Sequence, residues 1–341
     1  MGVNLPKVSI VMAVYQPNQS WLIQQLDSLN QQDYAGEMEL LVWNDSPAYT
    51  GCGELLAKYI TRFPFRLLAD GANHGSAKAF EKLTVAADGK YIAYCDQDDI
   101  WLPGKVSASV RLMEAEAGCL ICHVGLSLID GEGQLMHELA YPADLSVVNN
   151  PSYQQRRFVL RNFAFGCAML VRWDFAQAMV PFTEGGVYHD QWLACGGAYT
   201  GKVVFSGERL LLHRIHDSNT SGVLQGINTQ EDYYRKKLWR DTALVEALVA
   251  KYGQPALSGE PGESCEKDRK QGQQEAFLRQ LACWIEYRKL YAGQPGLKNL
   301  LQLWGCLVDS GFSLRPDITI FEILLPLLPR KVLQAILQGL K

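Results

Sequence analysis

Short, continuous apolar runs alternate with helix-patterned segments over the first hundred residues, and this alternation limits the possible folds more than any other feature. The apolar runs are Val8–Tyr15, Met38–Trp43, Phe65–Ala69 and Tyr91–Cys95. The segments between them, which place apolar residues at the spacing of one helix face, are Trp21–Gln31, Gly53–Phe63 and Ser76–Ala87. Strands that are apolar on both faces must be covered on both faces, so we predict a Rossmann-like α/β fold, a mainly parallel sheet with helices on both faces.

Polar clusters follow three of the predicted strands. They are Tyr15-Gln16-Pro17, Asn44-Asp45 and Asp96-Gln97-Asp98-Asp99. Ligands of such sheets bind outside the carboxyl ends of the strands, so we expect all three clusters at one ligand-binding edge. Burying the three carboxylates of the last cluster is costly unless a cation compensates them. The pattern therefore favours a divalent cation that carries a diphosphate over a solvated acidic turn.

The bulk composition is that of a globular protein and excludes some partners. The 341 residues carry a formal net charge of −4, so no basic field favours nucleic acid. The N-terminal residues lack the pattern of a secretory signal, and nine cysteines lie mostly in apolar runs, so we expect reduced thiols in the cytoplasm. Cys119-Leu120-Ile121-Cys122-His123 matches a haem-attachment pattern, but it continues as an apolar run, and we interpret it as a strand.

The remaining sequence changes character near residue 222. Before that point the patterns predict a helix over Lys105–Ala117, a strand around Cys122, a polar loop over 130–155, and two short strands, Val203–Ser206 and Arg209–His213. After it they predict helices over Thr229–Tyr252, Glu266–Tyr291 and Leu297–Val308, with a Gly- and Pro-rich linker over 253–264. We therefore predict one domain over 1–222 and a helical C-terminal region over 223–341.

The last segment, 317–341, is apolar, but Pro326 and Pro329 interrupt it. The uninterrupted run is well short of the roughly 20 residues that a transmembrane helix needs. Two interpretations stay open: the segment packs on the protein body, or it lies on a membrane surface as an amphipathic anchor. The helical C-terminal region also offers a surface for a homodimer.

Six motifs occur in order over about residues 5–222. They are Val8–Tyr15, Trp43-Asn44-Asp45-Ser46, Asn73-His74-Gly75-Ser76, Asp96-Gln97-Asp98-Asp99, His189-Asp190-Gln191-Trp192, and the run from His213 to Gly222. As an ordered set they resemble the family 2 glycosyltransferases, which have the GT-A fold and a DxD motif. The forms Asp-Gln-Asp-Asp-Ile-Trp and Asn-x-Gly are similar to a rhamnosyltransferase-like subgroup. The C-terminal third lies outside the resemblance.

Three positions depart from the family pattern. Asn44 replaces the first acid of the usual pair before Ser46, His189 replaces the Glu that usually precedes Asp190, and Ala79 stands where related proteins often have Asn. Asp45 and Asp190 are therefore the only carboxylates left in their motifs.

The resemblance implies an inverting glycosyltransferase that depends on Mn²⁺ or Mg²⁺. It implies donor-binding roles for Tyr15, Asp45, Asn73, Gly75, Lys78, Asp96 and Arg214. Asp98 and His216 are the implied metal ligands, although imidazole suits Mn²⁺ less well than oxygen does. Asp190 is the implied catalytic base, which takes the proton of the acceptor hydroxyl.

Each of these side chains also has a structural interpretation. An Asx turn would account for Asp45, and caps would account for Asp99 and Asp190. Lys78 and Arg214 suit solvated surface positions, and a structural histidine would account for His216. These alternatives stay open at the level of the sequence.

The predicted reaction moves a sugar from dTDP-rhamnose or a UDP-sugar to a glycan or lipid-linked acceptor in surface polysaccharide biosynthesis. We expect it in the cytoplasm or at the inner face of the cell membrane. A nucleotidyltransferase also uses strand-end carboxylates, but it usually has a Gly-rich basic loop, which Tyr15-Gln16-Pro17-Asn18 is not. A non-catalytic module that kept the fold to bind nucleotide-sugars or glycans is the remaining alternative, which His189 leaves open.

Overall fold

The computed structural model describes residues 5–137, 144–216, 227, 229–253, 265–309 and 316–325. The chain divides into two compact units. The first comprises Met1–Phe182 and Tyr188–Ser218, and the second comprises Thr183–Val187 and Asn219–Lys341. The predicted boundary at residue 222 lies outside the described residues.

The first unit begins with the predicted alternation of strands and helices. Its elements are β1 (Val8–Val14), α1 (Gln19–Asn30), β2 (Met38–Asn44), α2 (Cys52–Tyr59), β3 (Phe65–Leu68), α3 (Ser76–Ala86) and β4 (Tyr91–Cys95). β1 lies between β2 and β4 and pairs with both in parallel, and β3 extends the sheet beside β2, also in parallel. The predicted α/β class is confirmed, and the carboxyl ends of β1, β2 and β4 share one edge.

Helices cover both faces of this parallel half. On one face Met12 of β1 belongs to the same buried cluster as Leu26 of α1. Val110, in the helix over Lys105–Ala115, joins that cluster. On the opposite face, the ring centroid of Phe80 in α3 lies 5.6 Å from that of Tyr94 in β4. Burial on both sides explains why these strands are apolar without alternation.

The second half of the first unit is mixed. Its elements are β5 (Ile100–Trp101), α4 (Lys105–Ala115), β6 (Cys119–Ile129), β7 (Leu135–His137), α5 (Leu145–Val148), α6 (Pro151–Leu160), β8 (Met169–Arg172), α7 (Trp173–Ala178), α8 (His189–Thr200) and β9 (Lys202–Arg214). The strand order among the described residues is β3-β2-β1-β4-β8-β6-β9-β5, with β7 paired to β6. β8 is antiparallel to both β4 and β6, so it joins the two halves.

Two sequence predictions are wrong in this half. The polar loop over 130–155 contains β7 and α5 and the start of α6, whose first turn has Pro151 and whose Asn150 side chain accepts a hydrogen bond from the Tyr153 N–H (3.1 Å). The two short strands are one strand, β9, because residues 206–208 form a bulge between the pairs His123–Phe205 and Gly125–Arg209. The interpretation of the cysteine run as a strand is confirmed by β6.

The second unit is helical where it is described. Its elements are α9 (Gln230–Asp232), a π-helical turn (Tyr233–Leu238), α10 (Trp239–Tyr252), α11 (Cys265–Gly293), α12 (Leu297–Asp309) and α13 (Pro316–Leu324). Inside it, the buried Arg288 donates to both carboxylate oxygens of Glu322 (2.7 and 2.6 Å) and to Asp241 (3.0 Å). These charges compensate each other away from water, as buried charges must.

Among the described residues, no helix is both long enough and apolar enough to cross a membrane. Of the predicted membrane-associating segment 317–341, the residues up to 325 belong to α13 and its end, and the rest lie outside the described residues.

Candidate active site

The ends of β1 and β4 are held together by one side chain. Gln97 accepts a hydrogen bond from the Tyr15 N–H (2.9 Å) through Oε1 and donates to the Tyr15 carbonyl (3.0 Å) through Nε2. The next residue, Gln16, has a φ of +41°, a value that residues other than glycine rarely adopt. The side chain of Tyr15 is nearly half exposed. The amide of Gln97 therefore fixes a strained turn and leaves the Tyr15 ring accessible at the edge.

Asp45 ties the end of β2 to the loop that precedes α3. Its N–H donates to the Val14 carbonyl (2.8 Å), and its side chain is almost completely buried. One carboxylate oxygen accepts from the His74 N–H (2.8 Å) and from the Trp43 indole (3.3 Å), and the other accepts from the Gly75 N–H (2.8 Å). The carboxylate thus fixes the loop, whatever else it contacts.

The loop leads into α3 through Gly75, which has a φ of +79° and a ψ of 159°. This conformation is nearly exclusive to glycine. The Asn73 side chain accepts from the Gly75 N–H (3.1 Å). Lys78, in the first turn of α3, forms an ion pair with the buried Glu81. Asp45, Asn73 and Gly75 therefore lie together, and Lys78 lies one helical turn away.

The carboxylates after β4 are buried close to one another. Burial, followed by the charges of Asp99 and Asp98, raises the pKa of Asp96. Burial, followed by the charge of Asp99, also raises the pKa of Asp98, against the lowering effect of His216. Neighbouring carboxylates raise each other's pKa and so retain protons. A cation that binds between them favours the ionised forms and displaces those protons. The turn is therefore suited electrostatically to a divalent ion.

Asp99 is anchored to the end of β9. It is completely buried, and one of its oxygens lies 2.9 Å from His213 Nδ1 and accepts from the Arg214 N–H at 3.0 Å. Burial alone would raise the pKa of Asp99, but the facing His213 lowers it. Asp99 is therefore an internal anchor, and its alternative as a turn cap is wrong.

Two groups of side chains are candidates for holding a cation. Asp96, Asp99, Cys167 and His213 each present one ligand atom within 4.8 Å of the others. In that group Asp99 and His213 already pair with each other. The second group is the Asp98–His216 pair, whose Oδ2 and Nε2 atoms lie 2.8 Å apart and whose side chains are partly exposed. Since it is accessible and combines carboxylate with imidazole, this pair fits an exchangeable Mn²⁺ or Mg²⁺ better.

Asp190 lies in the first turn of α8 and is partly buried. Its carboxylate oxygens accept hydrogen bonds from the N–H groups of Gln191 (2.6 Å) and Gly166 (3.3 Å). Burial raises the pKa of Asp190 from 3.8 to about 6. The N-cap of α8 is Tyr188, so capping does not account for Asp190. An aspartate with this pKa is ionised at neutral pH yet more basic than usual, as a general base requires.

His189 occupies an aromatic pocket beside Asp190. Its ring centroid lies 4.2 Å from that of Phe80 and 5.1 Å from that of Tyr94. Burial lowers the pKa of His189 to about 3, so the ring is neutral at pH 7. The family's Glu at this position would place a second charge in that pocket, and the histidine does not.

The segment before β8 connects Asp190 to the acidic turn. A Cβ added to Gly166 would lie 2.6 Å from His189 Nε2 and 3.4 Å from Asp190 Cβ. The next residue, Cys167, has its sulfur 3.8 Å from His213 Nδ1. Two adjacent residues therefore contact the two parts of the site: Gly166 contacts the candidate base Asp190, and Cys167 contacts His213, which anchors the acidic turn.

Several contributors were not singled out in the sequence. The position of Gln97 between Asp96 and Asp98 in the sequence suggests a role in the site. Its partner Tyr15, just after β1, could not be predicted from the sequence. Gly166, Cys167 and His213 act through contacts with residues far away in the chain, for which no local pattern exists. Arg214, expected on a solvated surface, is completely buried at the end of β9.

The chain matches the sequence model of glycosyl transferase family 2 over residues 9–178. Among curated relatives, the putative colanic acid biosynthesis glycosyl transferase WcaA of Escherichia coli is 25% identical over 181 residues, which cover 52% of this chain and 61% of WcaA. Across the curated relatives, the matched region covers between 13% and 68% of the relative's length.

Two solved structures are similar in fold. The Staphylococcus aureus TarS fragment 1–349, in complex with UDP-GlcNAc, has a TM-score of 0.58 and 12% identity, covering 97% of this chain and 89% of the fragment. The mannosyltransferase PcManGT of Pyrobaculum calidifontis, in complex with GDP-Man and Mn²⁺, has a TM-score of 0.50 and 14% identity, covering 97% of this chain and 85% of PcManGT. These similarities confirm the GT-A fold.

Proposed function

We propose, since the chain belongs to glycosyl transferase family 2, that it is an inverting, metal-dependent enzyme that transfers a sugar from a nucleoside-diphosphate donor to a hydroxyl of a glycan or lipid-linked acceptor. From the resemblance of its motifs, dTDP-rhamnose and UDP-sugars are the proposed donors. Surface polysaccharide synthesis, in the cytoplasm or at the inner face of the membrane, is the proposed setting. Dimerisation stays a prediction.

One observation carries the proposal: the segment Gly166–Cys167 contacts both Asp190 and the His213 that anchors the acidic turn. Transfer with inversion needs a base on one side of the sugar and charge stabilisation of the diphosphate on the other. A base and a cation site supported by adjacent residues meet this need. The raised pKa of Asp190 further supports a catalytic carboxylate at this position.

We assign the cation to Asp98 and His216, with Asp96 beside them. A divalent metal bound there supplies Lewis-acid stabilisation of the departing diphosphate. The surrounding residues hold the metal ligands in position. Asp99, paired with His213, fixes the backbone of the acidic turn, and Gln97 ties this turn to the end of β1.

We assign the base to Asp190. The acceptor hydroxyl oxygen attacks the anomeric carbon while its proton passes to the Asp190 carboxylate, and the bond from that carbon to the diphosphate oxygen breaks. The pKa of about 6 leaves about nine-tenths of Asp190 ionised at pH 7 and still makes it a better proton acceptor than an exposed aspartate.

We assign donor binding to Asp45 at the end of β2, to the loop between β3 and α3, and to Tyr15 at the end of β1. Asp45 is the proposed contact to the imide N–H of uracil or thymine, an assignment that rests on the resemblance. Both its oxygens already accept hydrogen bonds from backbone N–H groups, so Asp45 also holds His74 and Gly75 of this loop in place. Lys78 is the proposed phosphate contact, after release from Glu81.

A binding module without catalysis is the second candidate, and the neutral His189 in place of the usual acid favours it. Donor hydrolysis separates the two. The protein is incubated with UDP-glucose, UDP-GlcNAc or dTDP-rhamnose, with Mn²⁺ or with EDTA, and the released nucleoside diphosphate is measured. We expect slow, metal-dependent release from at least one donor, and release from Asp190→Asn that is about 10² to 10⁴-fold slower. A protein that binds these donors but releases nothing would be a module.

A further inference from the structure

We propose that Arg214 is a positioning residue that holds the metal pair Asp98–His216 in register, rather than a donor-binding residue. The inference rests on the proposed function, because it assigns the cation to that pair. Arg214 follows His213 at the end of β9, where its main chain is already tied to Asp99 (3.0 Å). Its side chain extends from this anchor under the acidic turn.

The guanidinium is fully engaged with atoms of the protein. Its Nε donates to the Asp98 carbonyl (2.8 Å), and one terminal nitrogen donates to the carbonyls of Asp130 (3.0 Å) and Gly131 (3.1 Å). The other terminal nitrogen donates to the Gln24 side chain (2.6 Å). The side chain has no exposed surface. A donor phosphate would have to displace these bonds, so Arg214 acts on the site through the backbone it holds.

A second route leads from Arg214 to His216 through Trp21. The guanidinium carbon lies 5.3 Å from the centroid of the Trp21 ring, whose indole N–H donates to the same Gly131 carbonyl (3.0 Å). Trp21 also contacts His216, whose ring centroid lies 4.7 Å from that of the indole. Arg214 thereby supports Asp98 by a direct bond to its carbonyl and His216 through a packed ring.

The chemistry of arginine suits this task. A planar guanidinium presents five N–H donors in a fixed arrangement, whereas a lysine ammonium is a point charge with three. Only the former can hold Asp98, the β6–β7 turn and α1 at once. Its positive charge also lies beside the acidic turn, where it offsets part of the repulsion between the carboxylates before a cation arrives.

The test is the affinity for Mn²⁺ without nucleotide, measured by calorimetry or by the electron paramagnetic resonance of free Mn²⁺. We expect Arg214→Lys to bind Mn²⁺ about 10-fold or more weakly, the usual effect of losing a partner that orients a metal ligand. In donor hydrolysis, the Mn²⁺ concentration for half-maximal rate should rise by a similar factor, while the rate at saturating Mn²⁺ recovers most of the wild-type value.

Two further variants keep the result interpretable. Gln24→Leu removes one partner of the guanidinium at an exposed position, so this variant should fold even where Arg214→Lys fails to fold. It should also weaken Mn²⁺ binding. Arg288→Lys changes an equally buried arginine of the second unit; it should lower the melting temperature and leave Mn²⁺ affinity unchanged.

The outcomes separate this inference from the proposed function. If wild type binds Mn²⁺ and neither Arg214→Lys nor Gln24→Leu alters the affinity, the positioning role is overturned and the function stands. A loss of affinity in Arg288→Lys equal to that in Arg214→Lys would also overturn it, because it would indicate general destabilisation. If wild type binds no Mn²⁺ and its donor hydrolysis does not depend on Mn²⁺, both the inference and the metal-dependent function fail.

Discussion

Replacing Asp190 by asparagine measures what the buried carboxylate costs the fold and what it does for the reaction. Burial raises its pKa from 3.8 to about 6, and each unit of pH corresponds to about 1.4 kcal/mol. Ionising Asp190 in the folded protein therefore costs up to about 3 kcal/mol. This is an upper limit because part of the residue reaches solvent.

The pH at which this cost appears follows from the direction of the shift. The folded-state pKa lies above that of the unfolded chain, so the folded protein binds the Asp190 proton more tightly. Its contribution to stability is greatest below about pH 4, is lost as the pH rises to about 6, and stays constant above that. Asparagine does not titrate. The free energy of unfolding of wild type, relative to Asp190→Asn, should thus fall by up to about 3 kcal/mol across this window.

Urea unfolding of both proteins at several pH values between 4 and 8 measures this difference. Donor hydrolysis at pH 7.5 measures the catalytic loss, expected to be about 10² to 10⁴-fold, and the wild-type rate should rise with pH through about 6. A stability difference independent of pH would refute the burial argument. Near-wild-type hydrolysis by Asp190→Asn would show that another group is the base.

Three other substitutions test separate parts of the site. Asp98→Asn should abolish Mn²⁺-dependent nucleotide binding in calorimetry without lowering the melting temperature; unchanged affinity would exclude Asp98 as a ligand. Gly75→Ala should destabilise the protein by about 1–3 kcal/mol, since its φ of +79° and ψ of 159° disfavour any Cβ, whereas Gly51→Ala, with a φ of −79° and its nearest atom at 3.9 Å, should not. Gly166→Ala forces a Cβ to within 2.6 Å of His189, and should lower the hydrolysis rate about 100-fold while nucleotide affinity is retained; an unchanged rate would show that this close contact is dispensable.

Local patterns were sufficient for the parallel half of the sheet. β4 was predicted to the residue, and β1 and β2 to within one residue, because each is an apolar run that a polar cluster ends. The shared edge followed from the rule that parallel strands present their carboxyl ends together. The prediction failed at α6, where the cap formed by Asn150 and Pro151 was legible but the helix buries its apolar residues mainly at its end.

The roles of individual side chains depended on contacts that no local pattern contains. Asp99 pairs with a histidine 114 positions away, and Arg214 reaches Gln24 across 190 positions. A basic residue at the end of a strand is ordinarily solvated, so the sequence favoured a surface position for Arg214. Burial of its charge is possible because the fold brings three carbonyl groups and a glutamine amide to the guanidinium.

Calorimetric titration of the protein with UDP, dTDP, GDP and CMP, each with Mn²⁺ and with EDTA, tests the central claim most directly. A metal-dependent transferase of UDP- or dTDP-sugars should bind UDP or dTDP more tightly than the other two, and Mn²⁺ should strengthen that binding at least 10-fold. Binding of none of the four nucleotides, or binding that is the same with Mn²⁺ and with EDTA, would contradict the proposed chemistry of the acidic turn.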